Sequence, residues 1–346
     1  MKIRILVALL LSLLLSPGAL LANPYLAKPG ERPVTLRMAT CAVSGGFVHL
    51  YAALDYGLFA KYGLRVEHVY VRGSDISMAA VATDELQALF CAADATIPGM
   101  ATGADVKLVA APLVGLPYVL VARKDIKRPE DLKGKTIGVT RPGELSARLS
   151  RAVLKKFNLT TNEVTIRPIG GSQSERYQAM VADIIQAIVV PPPLDVRANH
   201  DGFNTVYRLI DLDLPFIYSS VHVNNKLLRE RPEVVQRLVA AFAESVQFVE
   251  KNPEKAKASI AKVLRLKDQE ALQVSYNTFA KEIVNRWLTV PGKAVADAFE
   301  VARENGTKVR KKPEEIYDNS FALNLDKSGF LKELWGNELQ QRRPER

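Results

Sequence analysis

The fold is decided between Cys41 and Val71, CAVSGGFVHLYAALDYGLFAKYGLRVEHVYV. A strand ends near Cys41, Gly45 and Gly46 make a turn, and a helix opens near Phe47. Phe47, Leu50, Tyr51, Leu54 and Leu58 recur with the period of a helix that buries one face. Gly57 and Gly63 punctuate its end, and Leu64 to Val71 has the β-branched and aromatic content of a strand. The stretch therefore predicts a strand, glycine turn, helix and strand. Backbone N–H groups in such a turn suit a small polar or anionic group; equally, the glycines can serve the turn alone.

Working outward, the same alternation recurs. Val34–Thr40 precedes the unit. Leu86–Ala92, Lys107–Ala111 and Tyr118–Arg123 read as strands, with Asp94 to Pro98 as a loop at a strand end. Thr136–Thr140, Val164–Ile169, Ala187–Val190 and Thr205–Ile210 form a second set, and Ser172 with Glu175 predicts a capping box. Alternating strands and helices predict an α/β chain with parallel sheets covered on both faces. From about Arg231 the pattern is helical, with prolines at 232, 253, 291 and 313 marking boundaries.

The 346 residues suffice for two modest domains, with 48% hydrophobic and 24% charged residues. Residues 1–22 have a basic start, an apolar run and small residues up to Ala22, the pattern of a secretory signal peptide. Its removal takes Lys2 and Arg4 and lowers the net charge from +10 to +8. The positive balance could suit nucleic acid, but an exported protein rarely meets any, so no nucleic-acid partner is expected. The many C-terminal lysines and arginines read as solvated helix faces. Cys41 and Cys91 both fall near strand ends. A disulfide is conceivable, but parallel neighbours seldom offer the geometry, and two buried free thiols are the expectation.

The run DYGLFAKYGLRVEHV resembles the GxFxxxGLxVE signature of periplasmic solute-binding proteins of the nitrate, sulfonate and taurine group. The thiamine-pyrimidine binding and synthesis proteins share that fold. The similarity continues through DELQALFCAADATIPGMATGADVKLVAA, RPEDLKGKTIGVTRPGELS and RPIGGSQSERYQAMVADIIQAIVVPPPLDV, over roughly residues 34 to 250. The resemblance implies a type 2 periplasmic binding protein fold: two doubly wound α/β lobes joined by a two-strand hinge. Residues 34–117 would begin lobe one, 118–215 form lobe two, and 216–346 return to lobe one and add C-terminal helices. It implies a periplasmic monomer that needs no cofactor, closes on a small-molecule ligand, and docks on an inner-membrane ABC permease with its ATPase. Two alternatives stand beside it, an exported receptor serving a membrane sensor kinase and an enzyme of the pyrimidine-synthesis type.

Ligands of open α/β sheets bind beyond the carboxyl ends of the strands. The loops there supply the candidates. From lobe one these are Ser44, Gly45, Gly46, Phe47, Arg72, Ser74, Asp94 and Thr96; from lobe two, Arg141, Gly143, Glu144, Ser146, Gly171, Ser172 and Pro192. Arg141, at a strand end beside a helix start, is the first choice for an oxyanion partner. Asp94 and Glu144 would repel an anion, so either these groups turn outward or the ligand carries a cationic or donor group and has mixed polarity. The sequence has no HExxH, CxxC, Walker P-loop or GxSxG motif, and its four histidines lack metal-pair spacing. No catalytic residue and no metal site is therefore predicted.

Overall fold

A computed structural model describes residues 23–170 and 172–342. The predicted signal peptide, residues 1–22, lies outside the described residues. Ten strands form two five-stranded sheets of the same design. The first has the order β2-β1-β3-β10-β4, from Leu64–Tyr70, Val34–Thr40, Ala88–Cys91, Ile217–Asn224 and Val106–Val114. The second has the order β7-β6-β8-β5-β9, from Thr165–Pro168, Thr136–Val139, Ala187–Val190, Val119–Ala122 and Asn204–Arg208.

Neither sheet is wholly parallel, which corrects the sequence expectation. β10 runs antiparallel to β3 and β4, and β5 runs antiparallel to β8 and β9. The cause is the chain path. Leaving the first sheet after β4, the chain enters the second as β5; leaving the second after β9, it re-enters the first as β10. Each entering strand slots in against the local direction. The two crossing segments are hydrogen-bonded to each other: Gly115 N–H donates to Phe216 O (2.9 Å) and Leu209 N–H to Tyr118 O (2.8 Å). Gly115 has φ +139°, and a Cβ there would strike Ile283, so both backbone and packing require glycine.

The opening unit has the predicted plan with two differences. Gly45–Phe47 is a 3-10 turn capped by Ser44, and the helix divides at Gly57 (φ +67°) into Val48–Asp55 and Leu58–Lys61. Asp94 to Pro98 is not a loop; it lies within the helix Ala93–Ala101. The long helix Pro232–Lys251 buries its apolar face against this unit, and Phe242 stacks on Phe90 (centroids 5.1 Å apart). Farther on, the chain rejoins the first sheet, with Ala111 N–H donating to Leu288 O (2.8 Å). Its last helices are anchored by Arg286, which pairs with Glu250 (Nε–Oε2 3.1 Å) and lies over the Trp335 ring.

The free-thiol expectation is overturned: Cys41 and Cys91 form a disulfide, with Cα atoms 5.6 Å apart. Thr40 is in register with Phe90, so Cys41 falls beside Cys91. Cys41 lies one residue past the end of β1, with its carbonyl accepting from Gly73 N–H (3.1 Å), and its side chain meets that of the neighbouring Cys91.

Two histidines carry a pH consequence. His49 is fully buried with neither ring nitrogen hydrogen-bonded, and burial holds its pKa down at about 3. His222, also buried, is held at about 4 by the same cause, with Nε2 2.8 Å from Thr96 Oγ1 and Nδ1 3.2 Å from Leu89 O. Both are neutral when folded but charge near 6.5 when released. The unfolded chain therefore binds more protons, and stability is lost as pH falls from about 6.5 toward 4. At pH 5.5 the loss is about 1.4 kcal/mol per histidine. Urea denaturation at pH 7.5 and 5.5 measures it, and His222→Asn should show a smaller drop.

Candidate functional site

The carboxyl ends of β1, β3, β6 and β8 face one another across a crevice between the lobes. The 3-10 turn, the helix starting at Ala93 and the first crossing segment form one wall. The helix Gln173–Val181 and the run Pro191–Pro193 form the other. The crevice has adjoining chambers. A largely apolar one of about 360 Å³ is lined by Val43, Ser44, Gly45, Phe47, Tyr118, Tyr218, Leu264 and the three prolines. A polar one of about 550 Å³ shares Val43, Tyr118 and Gln173 with it and adds Thr140, Glu144, Ser146, Ser172 and Arg176. A third, of about 350 Å³, runs along the edge past Ser74, Asp75, Asp94, Gly143, Glu144 and Arg148.

Arg176 dominates the polar chamber. Its residue is 5% exposed, no carboxylate pairs with it among the described residues, and its Nε has no hydrogen-bond partner. Nη1 donates to Thr140 Oγ1 at 2.6 Å. The same oxygen accepts from Ser146 Oγ at 3.2 Å, and Ser146 Oγ in turn accepts from Thr140 N–H at 2.9 Å. Thr140 Oγ1 thus already accepts twice and has its hydrogen left for a ligand. Burial lowers the Arg176 pKa, yet a guanidinium remains charged at any physiological pH. The Glu144 carboxylate, which lines the same chamber, offsets part of this charge through space without pairing with it, and the guanidinium hydrogens left unpaired favour an anionic group there.

The apolar chamber is walled by rings. Tyr118 and Tyr218 have centroids 6.1 Å apart, and Tyr218 lies 5.2 Å from Phe279. Burial raises both phenols, Tyr218 to about 12, and Asp94 close to them adds to the rise. Ser44 Oγ accepts from Gly46 N–H (3.1 Å) and lies 3.5 Å from the Tyr218 hydroxyl. A Cβ on Gly46 would collide with the Tyr218 ring. Gly46→Ala should push that ring into the chamber and cost about 1–3 kcal/mol of stability by overpacking; chemical denaturation checks this.

Asp94 opens its helix at the crevice edge. Burial raises its carboxyl to about 6, against the nearby Arg148 guanidinium and the helix N–H groups that hold it down. Arg148 crosses the crevice to Asp297 (Nη1–Oδ2 3.2 Å), and Asn305 Nδ2 donates to Gly143 O (2.8 Å). These contacts join the second lobe to the helix Gly292–Glu304, which packs on the first.

Ser44, Gly45, Phe47, Ser74, Asp94, Gly143, Glu144, Ser146, Ser172 and Pro192 therefore all line the crevice. Gly46 stands behind its wall under Tyr218. Ser172 also makes the predicted capping box with Glu175. Gly171 lies outside the described residues. Three candidates are elsewhere. Arg141 turns outward, with its side chain 77% exposed and paired with Glu144 at 3.5 Å. Thr96 is buried against His222. Arg72 is exposed, its charge felt by Glu175. Reasoning by loops missed Arg176, which sits inside a helix. Its signal was there: buried Arg176 and Met180 are four apart, so an arginine occupies a core-facing position.

Two lobes built on sheets of the same strand order, facing each other across a crevice with polar and apolar chambers, have the architecture of solute-binding proteins. The chain belongs to the NMT1/THI5-like family, whose profile matches residues 45–256. A provisionally named binding protein of Brucella abortus (strain 2308) is 26% identical over 276 residues, 77% of this chain and 80% of that one. The riboflavin-binding protein RibY of Chloroflexus aurantiacus is 24% identical over 273 residues, 74% of this chain and 77% of RibY. Among solved structures, the periplasmic aliphatic sulphonate binding protein SsuA from Escherichia coli aligns with a TM-score of 0.68 at 18% identity, covering 83% of this chain and 93% of SsuA. The alkanesulfonate-binding SsuA of Xanthomonas axonopodis pv. citri, bound to MOPS, gives 0.62 at 15% identity, over 84% of this chain and 99% of that one.

Proposed function

We propose that this protein is the periplasmic solute receptor of an ABC importer and that its solute is an organic oxyanion with an apolar body. Arg176 carries the reading. A buried guanidinium with an unpartnered Nε, beside a hydroxyl with a hydrogen to give, matches a sulfonate or carboxylate head. Chambers of about 360 and 550 Å³ are larger than a bare inorganic anion needs, and the tyrosine and proline walls suit a hydrocarbon or aromatic body. The family and the relatives' binding-protein names support the role of receptor rather than enzyme. The only cysteine lining the crevice is tied up in the disulfide, so it offers no thiolate.

Each lobe holds part of the site, so a ligand touching both favours the closed form. The closed form docks on a permease, which moves the solute onward and leaves it chemically unaltered. Native mass spectrometry of freshly purified protein, followed by thermal-shift competition with alkyl and aryl sulfonates and carboxylates, tests the reading. Thermal stabilisation by organic oxyanions but not by neutral analogues is expected. Equal response to neutral analogues, or a carried-over molecule that is chemically changed on incubation, sinks it.

A further inference from the structure

The lobes also meet at the crevice edge opposite Arg148. The helix Leu194–His200 belongs to the second lobe, and the helix Gln269–Asn277 packs with the first through the helix Pro253–Leu264. His200 ends the former and reaches across to the latter. Its Nε2 lies 2.7 Å from Glu270 Oε2 and its Nδ1 3.6 Å from Asp268 Oδ2. Asp268 is itself held in place, capping its helix through the N–H groups of Glu270 (2.9 Å) and Ala271 (3.1 Å). With both ring nitrogens facing carboxylates, only the doubly protonated ring donates on both sides.

We propose that His200 is a proton-operated clasp between the lobes: when protonated it holds the crevice closed, and when neutral it lets the crevice open. This rests on the hinged-receptor reading above and adds a control to it. Every charge near the ring enters the balance. Glu270 and Asp268 on the facing helix and Asp201 on its own helix all raise the histidine's pKa. Asp201 is in turn shared with the Tyr177 hydroxyl and, at 3.8 Å, with Arg197. Opening removes Glu270 and Asp268 and leaves Asp201. The histidine is therefore more basic in the closed form than in the open one. By linkage, closure is favoured below the open-form pKa, and that favour is lost as pH rises through the closed-form value. The neighbouring bridge between Arg208 and Glu282 crosses the same edge and carries no histidine.

The two native cysteines are joined, so cysteines introduced by Ile76→Cys in the first lobe and Ile184→Cys in the second can be spin-labelled selectively. Those side chains belong to residues 65% and 51% exposed. Pulsed electron-resonance distances on the ligand-free protein at pH 6.0 and 8.5 should show two populations. The ratio of short to long distances should be about two- to fivefold higher at pH 6.0, the size expected of an exposed charged pair. His200→Gln should remove the pH dependence and Glu270→Gln should weaken it. Asp94 titrates in the same range at the other edge and is retained in His200→Gln, so it is controlled for. Two populations indifferent to pH, or an undiminished pH response in His200→Gln, overturn the clasp alone. One fixed distance under all conditions, with Arg148→Ala included, overturns the hinged-receptor reading itself.

Discussion

Arg176→Met is expected to abolish most oxyanion binding while leaving the empty protein at least as stable as before. The two halves of this result have one cause. In the empty crevice the guanidinium is buried with a single hydroxyl partner and no paired carboxylate among the described residues, Glu144 acting on it only through space. It therefore carries a desolvation cost that a methionine of similar reach does not. With an oxyanion bound, the same charge makes charge-assisted hydrogen bonds worth about 1.5–3 kcal/mol, and more where water is excluded. At 1.4 kcal/mol per decade, affinity should fall by roughly ten- to a few hundredfold. Isothermal titration with the best sulfonate or carboxylate from the thermal-shift panel, beside thermal melts of the empty protein, measures both halves. Arg141→Ala is the matched control: its exposed side chain already pairs with Glu144, and affinity should not change. If Arg176→Met melts far below the wild type and binds unchanged, Arg176 is a structural residue.

The second large effect is on stability. The disulfide closes a loop with a sequence separation of 50. Chain-entropy arguments put the stabilisation from a loop of that size at about 4 kcal/mol, and measured values commonly fall to about 2–4 kcal/mol. Cys41→Ala with Cys91→Ala should lower the urea midpoint accordingly, and reductant should do the same to the wild type but not to the double variant. The effect should reach the site as well. Cys41 lines the apolar chamber three residues before Ser44, while Cys91 lies three before Asp94. The bond thus pins two crevice-lining segments to each other, and its loss should weaken oxyanion binding. Alkylation of the unreduced, unfolded protein at either cysteine would show that the bond does not form.

Local pattern accounts for what is legible in the amino-acid sequence alone. The periodic apolar face from Phe47 to Leu58, the capping box at Ser172 and the order of glycine turns are short-range features, and they place most of the crevice lining. What escaped was non-local. The antiparallel course of β5 and β10 follows from where the chain crosses, which no period-two alternation reveals. The disulfide joins Cys41, just past the end of β1, to Cys91 in β3. Arg141 and Arg176 show the limit for charges. The arginine at the loop points to water, and the one within a helix points inward, because Tyr177 and Met180 turn that face toward the sheet.

Strand order also dictates an order of assembly. β5 to β9 are consecutive, so the second sheet can form as soon as residues 119–208 are present. The first cannot: β10 stands between β3 and β4, and those two remain unconnected until residues 217–224 arrive. The amino-terminal half must wait, unpaired at its centre, for a segment synthesised much later. Such distant pairing makes acquisition of the native state slow, and a polypeptide that is slow to fold remains threadable for longer.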